Sequence, residues 1–375
     1  MNYKRDIEPD IEENLFKGKV IVIYGPRRAG KTFLSKELLK KQSDGQYINC
    51  ELQENRDKLT TTSAQKIRDI IGTNKRLVVL DEAQTIPDIG QTLKIMADEF
   101  PKVQIIATGS SSFDLAQKIA EPMTGRVRQY LLLPFSLAEL KQAHNSAELD
   151  GRLETSLRFG HYPSVVGRTE KEMIEELDMI TSGYLYKDIL QLENVRKPRI
   201  VGDLVKALAL QVGSEVSVNE LSRLLGVSGQ TVNHYIGLLE QSFVIFRLGA
   251  LSRNPRKEIA KKFKVYFYDL GIRNSVIRNY NPLDTRNDVG ALWENFCIVE
   301  KIKVNGNTRR LVNNYFWRSY AGAEIDYLEE AGGRLTGFEC KWSDSKYSSP
   351  QYFRELYPNS AIDLVTKENY RQIIK

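Results

Sequence analysis

The stretch KVIVIYGPRRAGKTFLSKELLKK, Lys19 to Lys41, decides how the first third of the chain folds. Val20 to Tyr24 form an unbroken apolar, β-branched run closed by a glycine, the pattern of a strand buried on both faces of a parallel sheet. From Phe33 onward the apolar residues recur at helical spacing. Between the two lies GPRRAGKT, an instance of GxxxxGK[ST] in the strand–loop–helix order that this pattern requires. Gly25 and Gly30 let the backbone curl so that its amides face a bound anion, and the helix N-terminus adds the positive end of its dipole. Lys31 is placed to reach β- and γ-phosphate oxygens, and Thr32 to offer its hydroxyl to Mg²⁺. Gly25, Pro26, Arg27, Arg28, Ala29, Gly30, Lys31, Thr32 and Phe33 are therefore the expected cofactor-binding segment, with ATP and Mg²⁺ as the expected ligands.

Further elements answer to that loop. RLVVLDEAQ, Arg76 to Gln84, ends an apolar strand in two carboxylates: Asp81 is suited to hold Mg²⁺ and Glu82 to polarise an attacking water. In VQIIATGSSSFDL another buried strand ends in hydroxyls. Thr108 or Ser110 is placed to bond the γ-phosphate or the lytic water, and Ser110 is assigned the role. In TGRVRQYLLLPFSLAEL, Arg126 and Arg128 precede a fifth strand; Arg126 is the candidate finger reaching the γ-phosphate of a neighbouring subunit, which implies a homo-oligomer.

Composition bounds the rest. A chain of 375 residues, 41% apolar and 27% charged, has room for two or three globular domains. The N-terminus carries no apolar signal stretch, and no run approaches the roughly eighteen apolar residues of a membrane span. A cytoplasmic protein without membrane contact is expected. Cys50, Cys297 and Cys340 form no CxxC and the histidines His144, His161 and His234 are scattered, which argues against a structural zinc site. A net charge of +6 and a pI near 8.9 permit an anionic partner such as nucleic acid.

Residues 146–206 show mainly helical periodicity, clearest in EKEMIEELDMITSGYLYKDIL, and read as a lid or connector; His161 in FGHYPS reads as a packed loop residue. SVNELSRLLGVSGQTVNHYIGLLEQSFVIFRL follows. Ser217 and Glu220 form a capping box, GVS breaks the helix, and Ser228 caps a second one: a helix-turn-helix. Val232, Ile236 and Leu239 define the buried face of the second helix. Gln230, Thr231, Asn233 and His234 are left outward, where a recognition helix meets base edges. FVIFRL and KVYFYD flank SRNPRKEIAKKFK as a wing, with Arg253, Arg256, Lys257, Lys261, Lys262 and Lys264 as expected phosphate contacts.

The last ninety or so residues read as helix, strand, strand, helix. Glu294 lies on the helix GALWENFCIVEKIKV, while EIDYL and LTGFECKW are strands joined by a glycine turn. Alternation puts Glu324 and Asp326 on one face, and Glu339 and Lys341 likewise. Asp326 and Glu339 are the expected metal ligands, Glu294 a further one, and Lys341 the group that orients water during phosphodiester hydrolysis.

The motifs GPRRAGKT, LDEAQ, ATGSSS, the GR of TGRVRQ, PFSLAE, FGHYPSVV and YLYKDIL together resemble prokaryotic AAA+ ATPases that carry a C-terminal domain of unknown function. The resemblance covers nearly the whole chain. It implies an α/β fold with a RecA-like P-loop core at residues 1–145, a helical connector at 146–206, a winged helix at 207–270 and a C-terminal α/β domain at 271–375. Glu294, Asp326 and the Glu339–Lys341 ExK resemble the PD-(D/E)xK nuclease superfamily and imply a restriction-endonuclease-like fold there; Ile325 stands where that pattern has proline. The function expected is an Mg²⁺-dependent ATPase that acts on DNA, branched or otherwise structured DNA included, with a nuclease-like C-terminal domain. The rival reading is a nucleotide-dependent regulatory or defence switch whose winged helix and C-terminal domain bind proteins.

Overall fold

The computed structural model describes residues 3–72, 74–110, 123–185, 198–251, 263–319, 321–343 and 350–374. Arg253, Arg256, Lys257, Lys261 and Lys262 of the expected wing lie outside the described residues, as do Ser111, Ser112 and most of YLYKDIL. Two compact units emerge: Asn2–Phe135 with Gln241–Phe243, and Ser136–Glu240 with Val244–Lys375. Among the described residues no helix is long and apolar enough to cross a membrane.

The first unit comprises α1 (Glu8–Glu13), β1 (Val20–Tyr24), α2 (Lys31–Lys40), β2 (Gly45–Asn49), α3 (Gln53–Leu59), α4 (Ala64–Ile71), β3 (Leu77–Asp81), α5 (Ile89–Glu99), β4 (Gln104–Gly109) and β5 (Val127–Leu131). The strands form one parallel sheet in the order β2-β3-β4-β1-β5. Its continuous apolar runs are explained by what each face meets. Val20, Val22, Val78, Leu80 and Ile105 join one core cluster with Ile67 of α4 and Leu93 of α5. Ile21, Ile23, Leu77, Val79 and Ile106 join another, with Ile11 of α1 and Leu34 and Leu38 of α2. Alternate side chains serve opposite faces, so both faces are covered and the inner positions of β1, β3 and β4 are apolar, with Asp81, Gln104 and Thr108 at or near strand ends. Each fully buried Ile, Leu or Val contributes about 1.5–3 kcal/mol of transfer free energy. This packing aligns the C-terminal ends of β1, β3 and β4, where the candidate site lies.

The second unit begins with α6 (Leu137–Lys141), α7 (Ser146–Phe159), α8 (Glu170–Met179) and α9 (Pro198–Leu210), in the region read as helical. Then come β6 (Glu215–Val216), α10 (Val218–Leu225), α11 (Gly229–Gln241), β7 (Ile245–Ala250), β8 (Phe263–Phe267) and α12 (Leu270–Ile277). Ser217 accepts the amide of Glu220 to open α10, and Gly226, at φ 64°, closes it in the left-handed conformation that favours glycine. Ser228 Oγ accepts the Thr231 amide at 3.1 Å. The chain ends with α13 (Val289–Asn307), β9 (Asn313–Arg318), β10 (Glu324–Ala331), β11 (Arg334–Cys340), α14 (Gln351–Leu356) and β12 (Ala361–Val365). Gly332 and Gly333 connect β10 to β11 with φ of 56° and 76°, as a two-residue hairpin turn with both central residues at positive φ requires.

The C-terminal region holds two strands more than its sequence suggests. One seven-stranded sheet runs β12-β11-β10-β9-β7-β8-β6, so β7 and β8, the strands expected to flank a wing, and the strands around Asp326 and Glu339 share one hydrogen-bonded sheet. The seam is a parallel pairing of β7 with β9, Gly249 opposite Tyr315 and Ala250 opposite Phe316. The boundary expected at 270/271 thus falls within a single sheet, because β9 pairs with β7 across a long sequence separation.

Candidate nucleotide site and C-terminal acidic cluster

The turn after β1 is tight because its glycines have no substitute. A Cβ on Gly25 (φ 150°) would lie 2.1 Å from the Leu132 carbonyl oxygen, and Gly30 (φ 98°) caps α2 in the left-handed region. Lys31 is buried and its Nζ donates to the Gly25 and Pro26 carbonyls, 2.9 Å each, so the ammonium lies over the loop it closes. Phe33 is half exposed at the first turn of α2. From behind, the buried Arg5 donates to Ala29 O at 2.9 Å and to Leu133 O at 2.5 Å, tying the loop to the segment after β5.

β3 delivers Asp81 beside Thr32. The Thr32 hydroxyl donates to the carboxylate, 2.9 Å to Oδ2 and 3.1 Å to Oδ1. Two other hydroxyls hold the same group: Thr108 of β4 donates to Oδ1 at 2.5 Å and Tyr47 of β2 to Oδ2 at 2.6 Å. Burial first, and then its hydrogen bond to Asp81, hold the Tyr47 phenol far above its usual range, so it remains a donor. Lys36 Nζ sits 4.4 Å from the Tyr47 ring centroid. Thr108 Oγ1 also accepts the Glu82 amide at 3.1 Å, and Glu82 has a left-handed backbone, φ 53°. The Gln84 side-chain amide donates to Glu82 Oε2 at 2.5 Å and to Ser110 Oγ at 3.0 Å. A hydroxyl and a carboxylate in hydrogen-bond contact behind an anion-binding loop are hard oxygen donors, and this set fits Mg²⁺.

Arg126 lies at the far end of β1 from the loop of its own chain. Its carbonyl accepts the Val20 amide at the N-terminal end of β1, the length of the strand away from the loop, about 13 Å at 3.3 Å per residue. Its guanidinium meets Asp98 at 2.9 Å on the surface. Tyr47, Gln84 and Arg5 were not singled out from sequence. Gln84 stands within LDEAQ, but Tyr47 and Arg5 enter through strand register and chain return, which no local pattern announces.

In the second unit α13, β10 and β11 bring Glu294, Asp326, Glu339 and Lys341 into one cluster. The Cys340 amide donates to Asp326 Oδ2 at 2.9 Å, and Lys341 Nζ meets Glu339 Oε1 at 2.7 Å. The cluster contains one group not foreseen there. Lys264 of β8, only 2% exposed, donates to Glu294 Oε1 at 3.0 Å, pairs with Glu324, and lies 5.5 Å from the Phe316 ring centroid. Its expected phosphate contact is thereby corrected: Lys264 to Phe267 of β8 are buried on both faces of the strand, and the ammonium is held inside by carboxylates. Tyr266 also donates to Glu294 Oε1, at 2.5 Å.

Burial, reinforced by Asp326, pushes Glu294 up to about 7. Burial likewise raises Asp326 and Glu339, the latter also through Asp326. Burial alone would lower Lys264, but Glu294 and Glu324 outweigh it and keep the ammonium charged. Lys264 and Tyr266 thus both bond Oε1 of Glu294, the residue expected as a further metal ligand. Among the described residues no three His, Cys, Asp or Glu side chains converge as a metal-holding group. Glu339 Oε2, however, is buried and has no hydrogen-bond partner, and with Asp326 it offers the oxygen donors a divalent cation takes.

On the helix-turn-helix, Val232, Ile236 and Leu239 are buried while Gln230, Asn233 and His234 are exposed and Thr231 is half-buried against Ser228.

Residues 17–141 match the family model described as AAA domain; 150–283 and 289–373 match two described as domains of unknown function, DUF8612 and DUF4143. An uncharacterized protein of Mycobacterium tuberculosis is 29% identical, over 94% of this chain and 76% of its own length. One of Methanocaldococcus jannaschii is 24% identical over 86% of this chain and 74% of its own. Among solved structures, the Walker-type ATPase of Pyrococcus abyssi aligns with a TM-score of 0.50 at 19% identity, covering 74% of this chain and 96% of that one. The chain is therefore built on a P-loop ATPase-like fold and carries an AAA domain.

Proposed function

We propose that the protein hydrolyses ATP with Mg²⁺ and couples turnover to DNA. The observation that carries this reading is the Thr32 hydroxyl against the Asp81 carboxylate, directly behind the Gly25–Lys31 loop. Loop amides and Lys31 would bind the β- and γ-phosphates, and Thr32 and Asp81 would hold Mg²⁺, which neutralises charge on the phosphate oxygens. Glu82 would take a proton from the attacking water. The exposed face of α11 supports DNA as the partner: its small polar side chains suit base edges, and a helix-turn-helix presents them there.

Lys31→Ala and Glu82→Gln should each lower the ATPase rate about 10²- to 10⁴-fold, the range of a lost general base or phosphate clamp. Unchanged turnover in both would refute the site. DNA affinity of the full chain should fall steeply as salt rises. A salt-independent affinity would instead favour the switch that binds proteins.

A second activity is supported by the buried, unpartnered Glu339 Oε2. Asp326 and Glu339 would hold a divalent cation and Lys341 would steady charge at a scissile phosphate, making the cluster a nuclease centre. Equal cutting of branched and linear DNA by wild type, Asp326→Ala and Lys341→Ala would exclude it.

A further inference from the structure

LDEAQ ends in a residue to which the site has so far assigned no chemistry. Gln84 lies in the single 3₁₀ turn Ala83–Thr85, which follows Glu82 directly. Its amide nitrogen is fully used, donating to Glu82 Oε2 at 2.5 Å and to Ser110 Oγ at 3.0 Å. These contacts settle the orientation of the amide, because a carboxylate oxygen accepts and does not donate. The other end of the group is then fixed as well. Gln84 Oε1 is buried and has no hydrogen-bond partner among the described residues. A buried carbonyl left unpaired is costly, and such a group persists where a ligand supplies its partner.

Three features place that partner. Gln84 occupies Glu82 Oε2, which leaves Oε1 as the carboxylate oxygen open to a second donor. The Glu82 amide donates to Thr108 Oγ1 and Gln84 joins the Glu82 carboxylate to Ser110, so the pair lies beside the C-terminal end of β4. Glu82 follows Asp81, whose carboxylate touches Thr32 at the end of the phosphate loop. A molecule with two hydrogens, one for each open oxygen, is water.

We propose that Gln84 is a catalytic residue of ATP hydrolysis, whose Oε1 accepts one hydrogen of the attacking water while Glu82 Oε1 accepts the other. This rests on the ATPase reading above. Two acceptors orient the water so that its oxygen lone pair is free to meet the γ-phosphorus. The water oxygen bonds to that phosphorus as the bond from phosphorus to the β–γ bridging oxygen breaks, its electron pair leaving on ADP. One hydrogen goes to Glu82 and from there to the released phosphate. The other leaves Gln84 and remains on the oxygen that had been water, giving ADP and dihydrogen phosphate. Glu82 thus moves the proton and Gln84 sets the direction of attack.

The test uses the full chain with Mg-ATP and measures kcat, KM and, separately, the affinity for a fluorescent ATP analogue. Gln84→Leu removes donor and acceptor. Gln84→Glu keeps the volume and an acceptor but sets a carboxylate against Glu82. Both should lose at least about tenfold in kcat, with analogue affinity within about twofold of wild type, the signature of an interaction made during the chemical step. A purely structural role would instead weaken affinity together with rate, and that result overturns the proposal. So does Gln84→Leu turning over at the wild-type rate while Lys31→Ala does not. Wild-type turnover that is insensitive to Lys31→Ala sinks the ATPase reading itself and this proposal with it.

Discussion

Asp81 receives hydroxyls from Thr32, Thr108 and Tyr47, so its two oxygens are held from two strands and a helix end. Tyr47→Phe removes one of these bonds and leaves the others. The Mg²⁺ concentration for half-maximal ATPase should rise about three- to tenfold, roughly 0.6–1.4 kcal/mol and the net worth of one hydrogen bond, with the rate at saturating Mg²⁺ nearly unchanged. A magnesium titration of both proteins checks this. Glu300 makes a prediction about acid. Burial alone would raise its carboxyl, but Lys303 at 2.8 Å, His161 and the Leu137 amide outweigh it and hold it at about 2. Depressed below the unfolded value of 4.5, it contributes stability that is present above pH 4.5 and lost as pH falls toward 2. The amount is about 3 kcal/mol, at 1.4 kcal/mol per pH unit. Glu300→Gln should flatten acid unfolding in that window, followed by circular dichroism, and should cost about 3–5 kcal/mol at neutral pH by removing the carboxylate that the buried Lys303 faces at 2.8 Å. Residues inside motifs, such as Lys31, Asp81 and Glu82, could be singled out from sequence because the chemistry fixes their spacing. Tyr47 could not, and Lys264 was singled out for a different partner, since each reaches its carboxylate through strand pairing.

Among the elements, the phosphate loop is limited by sterics more than by chemistry. Gly25→Ala puts a methyl group 2.1 Å from a backbone oxygen at φ 150°, which no rotamer relieves. Nucleotide binding by calorimetry should become undetectable while the far-ultraviolet spectrum stays that of wild type. Strands β1, β3 and β4 were legible as uninterrupted apolar runs because both of their faces are buried. β9 and β12 were not. NNYFWR begins with two asparagines and ends in arginine, and AIDLV carries a central aspartate; both pair at the outer part of the second sheet or at its seam, where one-sided burial weakens the pattern. α10 and α11 announced themselves through Ser217, Gly226 and Ser228, whose backbone roles are local.

For the whole molecule, sequence carried the first unit further than the second. The order of loop, acidic strand and hydroxyl strand constrains a parallel sheet almost completely. The second unit depends on the pairing of β7 with β9, between segments some sixty residues apart, and nothing in either segment names the other. That seam bears on how the protein can be divided. A fragment that stops after α12 would keep α10, α11, β7 and β8, yet it would strip β7 of β9 and bare the backbone groups of Gly249 and Ala250 that pair with Tyr315 and Phe316. Such a piece should self-associate in light scattering, whereas the undivided chain should not show this mode of aggregation. Any recombinant piece of the second unit cut at this point would therefore need a surrogate strand, or a charged or proline-bearing edge, before its behaviour in isolation could stand for its behaviour in place.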